Sequence, residues 1–157
     1  MITYCERFDL FQSLIKAAIK VTGTQDTDSK SLQVLVDHIR SCSFLIADGV
    51  VPSNEGRGYV LRRILRRAAR YGRDLGVDEP FMYQLTAAMV DTYQGVFPEI
   101  VAKKDHVALV IRSEEEGFGK TLDRGLEIFE RFSQFNIFFP NISLTLVTVS
   151  QIFWNST

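Results

Sequence analysis

Seven arginines fall between Arg57 and Arg73, a window of seventeen residues that holds no acid. Val60, Leu61, Ile64, Leu65, Ala68 and Ala69 run between them at i, i+1, i+4 and i+5, the spacing of a helix with one packed stripe. On that helix Arg62, Arg66, Arg70 and Arg73 form one row and Arg63 and Arg67 a second. Like charges at i,i+4 repel by about 0.2–0.5 kcal/mol per pair, so the pairs 62–66, 63–67 and 66–70 call for something negative. The chain carries 18 basic and 19 acidic residues in all, which leaves eleven basic against nineteen acidic outside this window. A cationic helix on an acidic background predicts either internal salt bridges or an anionic partner. The choice of arginine favours a phosphate partner, because its planar fork pairs phosphate bidentately and stacks on bases as lysine does not.

The helical period extends well beyond this window. Phe8, Phe11, Leu14, Ile15, Ala18 and Ile19 predict a helix over 8–21, closed by Gly23. Leu32 to Ala47 predicts a second helix with so broad an apolar face that it belongs at the centre of the domain. Asp48-Gly49 ends it, and Val50-Val51-Pro52 predicts an extended connector. Ser53 or Asn54 is then placed to cap the arginine helix, which should run to about Leu75 before Gly76. A fourth helix is expected from Pro80 to Tyr93. A last one is expected from Ile100 to Phe132, bent near Gly117-Phe118-Gly119, with Lys120 paired back to Glu116. The fold class is all-α, a bundle of about five helices over residues 1–131. Residues 132–157 hold no charged side chain, and Ile142-Ser143-Leu144-Thr145-Leu146 alternates like a strand with nothing to pair with. This apolar tail reads as non-helical or disordered and foreign to the domain, as an altered splice or reading frame would produce.

Other chemistries find little support. Cys5 and Cys42 lie far apart and outside any CxxC or Cys/His cluster, which predicts free thiols. His38 and His106 are isolated, and His38 reads as a structural histidine. Neither a catalytic set nor a metal cluster can be assembled, so no catalytic or metal residue is assigned. Gly117-Phe118-Gly119-Lys120-Thr121 has the ending of a phosphate-binding loop, but Glu114 stands where that pattern needs glycine. With neither a secretory signal after Met1 nor an apolar run long enough for a membrane span, a soluble intracellular protein is expected. Asn141-Ile142-Ser143 and Asn155-Ser156-Thr157 are then chance matches to the glycosylation pattern.

The stretch from Asp37 to Ala68, with Pro52-Ser53-Asn54-Glu55-Gly56-Arg57-Gly58-Tyr59 and Leu61-Arg62-Arg63-Ile64-Leu65-Arg66-Arg67 inside it, resembles alanyl-tRNA synthetase. The resembling region is the helical tRNA-recognition part that follows the catalytic core of that class II enzyme. Phe8-Asp9-Leu10-Phe11 and Lys120-Thr121-Leu122-Asp123-Arg124-Gly125-Leu126 extend the likeness to about residues 7–131. The resemblance implies a tRNA acceptor stem as partner. It implies that Asn54 reads a G·U wobble pair from the minor groove, and that Arg57, Arg62, Arg63, Arg66, Arg67, Arg70 and Arg73 hold phosphates. The family's ATP and alanine motifs, the acidic residue that works opposite the asparagine and the zinc site of the editing domain fall outside the resembling stretch. ATP, Mg and Zn are therefore expected only in the full-length enzyme, and no aminoacylation is expected from this chain alone. The implied location is cytoplasmic, with a mitochondrial alternative. An interaction module docked on acidic protein, such as the full-length synthetase, and a non-functional truncated product remain as other readings.

Overall fold

The computed structural model describes residues 9–26 and 29–136. Six α-helices follow in order: α1 Asp9–Thr22, α2 Lys30–Ala47, α3 Gly56–Asp74, α4 Leu85–Tyr93, α5 Pro98–Ala102 and α6 Lys104–Asn136. A 3-10 turn, Met82–Gln84, leads into α4, and no strand occurs among the described residues. The chain divides into two compact units, Met1–Gly119 and Lys120–Thr157.

The first unit is built around α2, as its apolar breadth predicts. Leu32, Leu35, Val36, Ile39, Cys42 and Ile46 are all buried, and the helix packs against both α1 and α3 while α1 packs on α4. Leu14, Ile15 and Ala18 of α1, Leu61, Leu65 and Ala68 of α3, Met89 and Val90 of α4, Ile100 of α5, and Val107 and Ile111 of α6 join the same core. Beside it Phe44, Tyr93 and Phe97 meet edge-on or tilted, with centroids 5.0 to 6.3 Å apart, the arrangement that ring quadrupoles favour. Helix α2 closes in a Schellman motif. Gly49 donates to the Ile46 carbonyl and Val50 to that of Leu45, so the connector leaves at a fixed angle.

Several boundaries differ from expectation. The fourth helix begins at Leu85 rather than near Pro80, because the backbone N–H groups of Phe81 and Met82 are taken by the buried carboxylate of Glu115. The last helix is two, parted at Lys103, whose ammonium donates to the carbonyl of Ala47 at the end of α2. Helix α6 then runs through Gly117 and Gly119 unbroken and on to Asn136. A phosphate-binding loop is excluded there, since a helix interior has no backbone N–H groups to spare. Glu116 pairs with Arg112 at 2.8 Å instead of with Lys120. The expected strand at 142–146, the rest of the tail from residue 137, and Cys5 lie outside the described residues. Of the second unit the described part is residues 120–136 of α6, where Leu126, Ile128, Phe129 and Phe132 are exposed. Among the described residues no helix is long and apolar enough to cross a membrane.

Candidate functional site

Helix α3 turns Gly58, Leu61, Leu65, Ala68 and Gly72 into the core. That face lies further round than the predicted stripe: Val60 is 52% exposed, and Ile64 and Ala69 are half-buried. The close approaches are made by glycine. A Cβ on Gly58 would fall 2.3 Å from both the Val51 carbonyl oxygen and the Ser53 hydroxyl, and one on Gly72 would fall 2.3 Å from the Phe81 ring. The connector 51–53 is thereby seated directly on the first turn of the helix.

The capping expectation is corrected here. Glu55, in extended backbone, holds the N-cap position without a side-chain cap bond, and Gly56 follows with φ at +58°, a left-handed conformation that only glycine adopts without strain. This turn moves the helix start past Ser53 and Asn54. The Ser53 hydroxyl closes on the backbone of Glu55, and the Asn54 side chain is released for another contact. Its Oδ1 accepts a hydrogen bond from Nη1 of Arg62, while the residue itself stays exposed.

The arginines divide differently from the two predicted rows. Arg62, Arg66 and Arg73 are partly covered and face acids. Nε of Arg62 lies 3.2 Å and Nε of Arg66 3.0 Å from the same Oε1 of Glu114, whose side chain is only 12% exposed. The guanidinium of Arg66 also stands 5.4 Å over the ring of Phe118, and Arg73 pairs with Asp78 at 3.3 Å. The expected repulsion between positions 62 and 66 is thus relieved by one carboxylate from α6. Arg57, Arg63, Arg67 and Arg70 are exposed. Arg63 lies over Tyr59 at 5.7 Å and Arg67 over Tyr71 at 5.8 Å, cation–π contacts that hold a guanidinium face against a ring. Arg70 is exposed like Arg63 and Arg67, whereas Arg62 and Arg66 are partly covered.

Sequence reasoning missed Glu114, Phe118 and Asp78 as partners, since all three come from other segments. The two tyrosines were legible, because Tyr59–Arg63 and Arg67–Tyr71 are both i,i+4. The histidine beside the site behaves as a structural residue. His38 is half-buried, 3.8 Å from Asp37, and its pKa is lowered by burial and by Arg67, against the raising effect of Asp37. No group of three or more potential metal-ligating side chains occurs among the described residues.

The sequence matches the family described as tRNA synthetases class II (A) over residues 5–137. Among curated proteins, the alanine–tRNA ligases of Pseudoalteromonas translucida and Nitrosomonas europaea are each 57% identical over 122 residues. That of Stenotrophomonas maltophilia is 56% identical over 122 residues. Each alignment covers 78% of this chain but 14% of the relative, so the chain spans about one seventh of the length of the proteins it matches.

Proposed function

Since the chain belongs to the tRNA synthetase class II (A) family, we propose that it serves an alanine–tRNA ligase as the part that holds the tRNA acceptor stem. The observation that carries this reading is the exposed row Arg63, Arg67 and Arg70 on the helix at whose entrance Asn54 is also exposed. Exposed guanidiniums about one turn apart can follow a phosphate backbone, which positions the RNA without reading it. An amide at the helix entrance can both donate and accept, so it can meet the edge of a base pair in the wide, shallow minor groove of an RNA helix. Arg57, exposed in the first turn of the same helix, extends the cationic surface toward Asn54.

ATP, Mg and Zn, with the joining of alanine to tRNA, belong in this reading to a longer protein of which this region is one part. A cytoplasmic location follows from the same reading. The bundle offers phosphate contacts and one base-edge reader, both on the connector and helix that follow α2.

The test is RNA binding by the whole 157-residue chain as salt is varied. Replacing Arg63, Arg67 and Arg70 by alanine should weaken binding to every RNA helix alike. It should also reduce the slope of log K against log salt by about 2, at roughly 0.7–0.9 for each phosphate no longer neutralised. Unchanged affinity and slope would overturn the reading. Binding to acidic protein with none to RNA would favour an interaction module.

A further inference from the structure

Arg62 differs from every other arginine on α3 in what it holds. Its Nη1 donates to Oδ1 of Asn54, its Nη2 lies 3.5 Å from the carbonyl oxygen of Pro52, and its Nε lies 3.2 Å from Glu114 Oε1. One rigid fork therefore donates to two acceptors, an amide on the connector and a backbone carbonyl two residues earlier, while its buried Nε, which makes no hydrogen bond, faces a carboxylate on α6 as an ion pair. A phosphate at this guanidinium would compete with Asn54 and Pro52 for the Nη donors and would draw the cation from Glu114, a largely covered charge that it helps to compensate. Arg66, on the same carboxylate oxygen, adds to that cost.

From this geometry we infer that Arg62 is the positioning residue for Asn54, anchored by Glu114, and that it makes no phosphate contact. The inference rests on the reading of Asn54 as the group that meets a base-pair edge. An exposed asparagine on a connector would ordinarily sample several rotamers, and a group that does so discriminates poorly. Two contacts remove that freedom. The connector is clamped at Gly58, where no side chain would fit beneath Val51 and Ser53. The side chain is clamped by Arg62, which occupies one lone pair of Oδ1 and leaves the amide NH2 as a donor turned away from the guanidinium. Donors in that position match the purine N3 and pyrimidine O2 acceptors of a minor groove, while the second lone pair of Oδ1 stays available to an exocyclic amino group.

The experiment compares two RNA hairpins, identical except that one stem pair is G·U in one and G·C in the other, by fluorescence anisotropy over a series of KCl concentrations. Arg62→Ala should erase the preference of the wild-type chain, which for one altered base pair lies between roughly fivefold and 150-fold. The salt slope should stay as in wild type. Arg62→Lys should not restore the preference, because an ammonium cannot hold the Asn54 amide and the Pro52 carbonyl in the geometry of a planar fork while facing Glu114. Arg63→Ala should do the reverse, lowering the slope and keeping the preference. The double variant Asn54→Ala/Arg62→Ala should discriminate no worse than Asn54→Ala alone, a coupling that a general loss of stability would not produce. Circular dichroism of each variant establishes that the bundle is retained. If Arg62→Ala does not fold, Arg62→Lys, which keeps a cation beside Glu114, decides by the same readings. A kept preference with a slope reduced by about 0.7–0.9 would make Arg62 a phosphate contact and overturn the inference while the proposed function stands. A wild-type chain that binds both hairpins equally would overturn the inference together with the reading of Asn54, while the phosphate role of the outer arginines is decided separately by the salt slope.

Discussion

Glu114, Glu115 and Glu116 are consecutive, and their side chains leave α6 about a third of a turn apart, so each meets a different environment. Glu114 neutralises two arginines, Glu116 pairs with Arg112, and Glu115 goes inside, 7% exposed, where it accepts from the backbone N–H groups of Phe81 and Met82 at 3.1 and 3.0 Å. Burial pushes the Glu115 carboxyl up to about 7 despite those two hydrogen bonds. A carboxyl whose folded pKa exceeds its unfolded value binds more protons in the fold, so stability falls as pH rises from about 4.5 to about 7 and is level above. His38, with its pKa lowered by burial, has the opposite effect: its contribution is present above pH 6.5 and is lost on acidification. The two are separated by subtraction. Urea melts of wild type and Glu115→Gln at pH 5 and pH 8 should show the variant gaining relative to wild type at the higher pH. The ceiling is on the order of 3 kcal/mol, from a shift of that size at about 1.4 kcal/mol per unit. Cys42 makes a second residue-level prediction. Buried in α2, with its thiol pushed up to about 12, it should resist alkylation by iodoacetamide in the native state and react once the chain is unfolded.

At the scale of elements, glycine decides how closely α3 is approached. Gly72→Ala should destabilise the bundle by about 1–3 kcal/mol, since the new methyl meets the Phe81 ring. A denaturant midpoint unchanged from wild type would refute this. Gly58→Ala should act more locally. The connector 51–53 must lift, carrying Asn54 with it, so the preference between the two hairpins should fall more than the melting temperature does. What the sequence made legible at this scale was whatever local chemistry decides. The broad apolar face of α2 announced its central position, Gly49 and Gly76 its end and that of α3, and Gly95 with Pro98 the break after α4. What it hid was decided by residues far along the chain. The 3-10 turn at Met82–Gln84 displaces the predicted start at Pro80 because a carboxylate 34 residues later claims the N–H of Phe81. The break at Lys103 goes with a bond to Ala47. The arginine rows were placed on the right helix, but which of their members are covered was hidden, since periodicity locates a face and only the fold supplies Glu114.

For the whole molecule the ruling quantity is how charge is distributed. The net charge of −1 conceals a helix of seven arginines on a background of nineteen acids. Glu114 pairs with Arg62 and Arg66 and Asp78 with Arg73, while Arg63, Arg67 and Arg70 are among the more exposed cations of the helix. Heparin retention should follow the exposed cations alone. Arg63→Ala/Arg67→Ala should elute at clearly lower salt than wild type, whereas Arg73→Ala should elute near it. Equal shifts for the two would mean that the inner pairs open to anions as readily as the outer row.

Glu114 also has a consequence in time. If the inference holds, the charges that Glu114 leaves exposed act at a distance and govern how often a polyanion arrives, whereas Arg62 acts only on what has already docked, through Asn54. On the proposed reading, then, loss of the outer arginines slows association and loss of Arg62 shortens residence on the G·U stem, and stopped-flow mixing with each hairpin would resolve the two. On that reading, one carboxylate sorts the arginines of a single helix into those that would set the rate of arrival and one that would set the rate of departure.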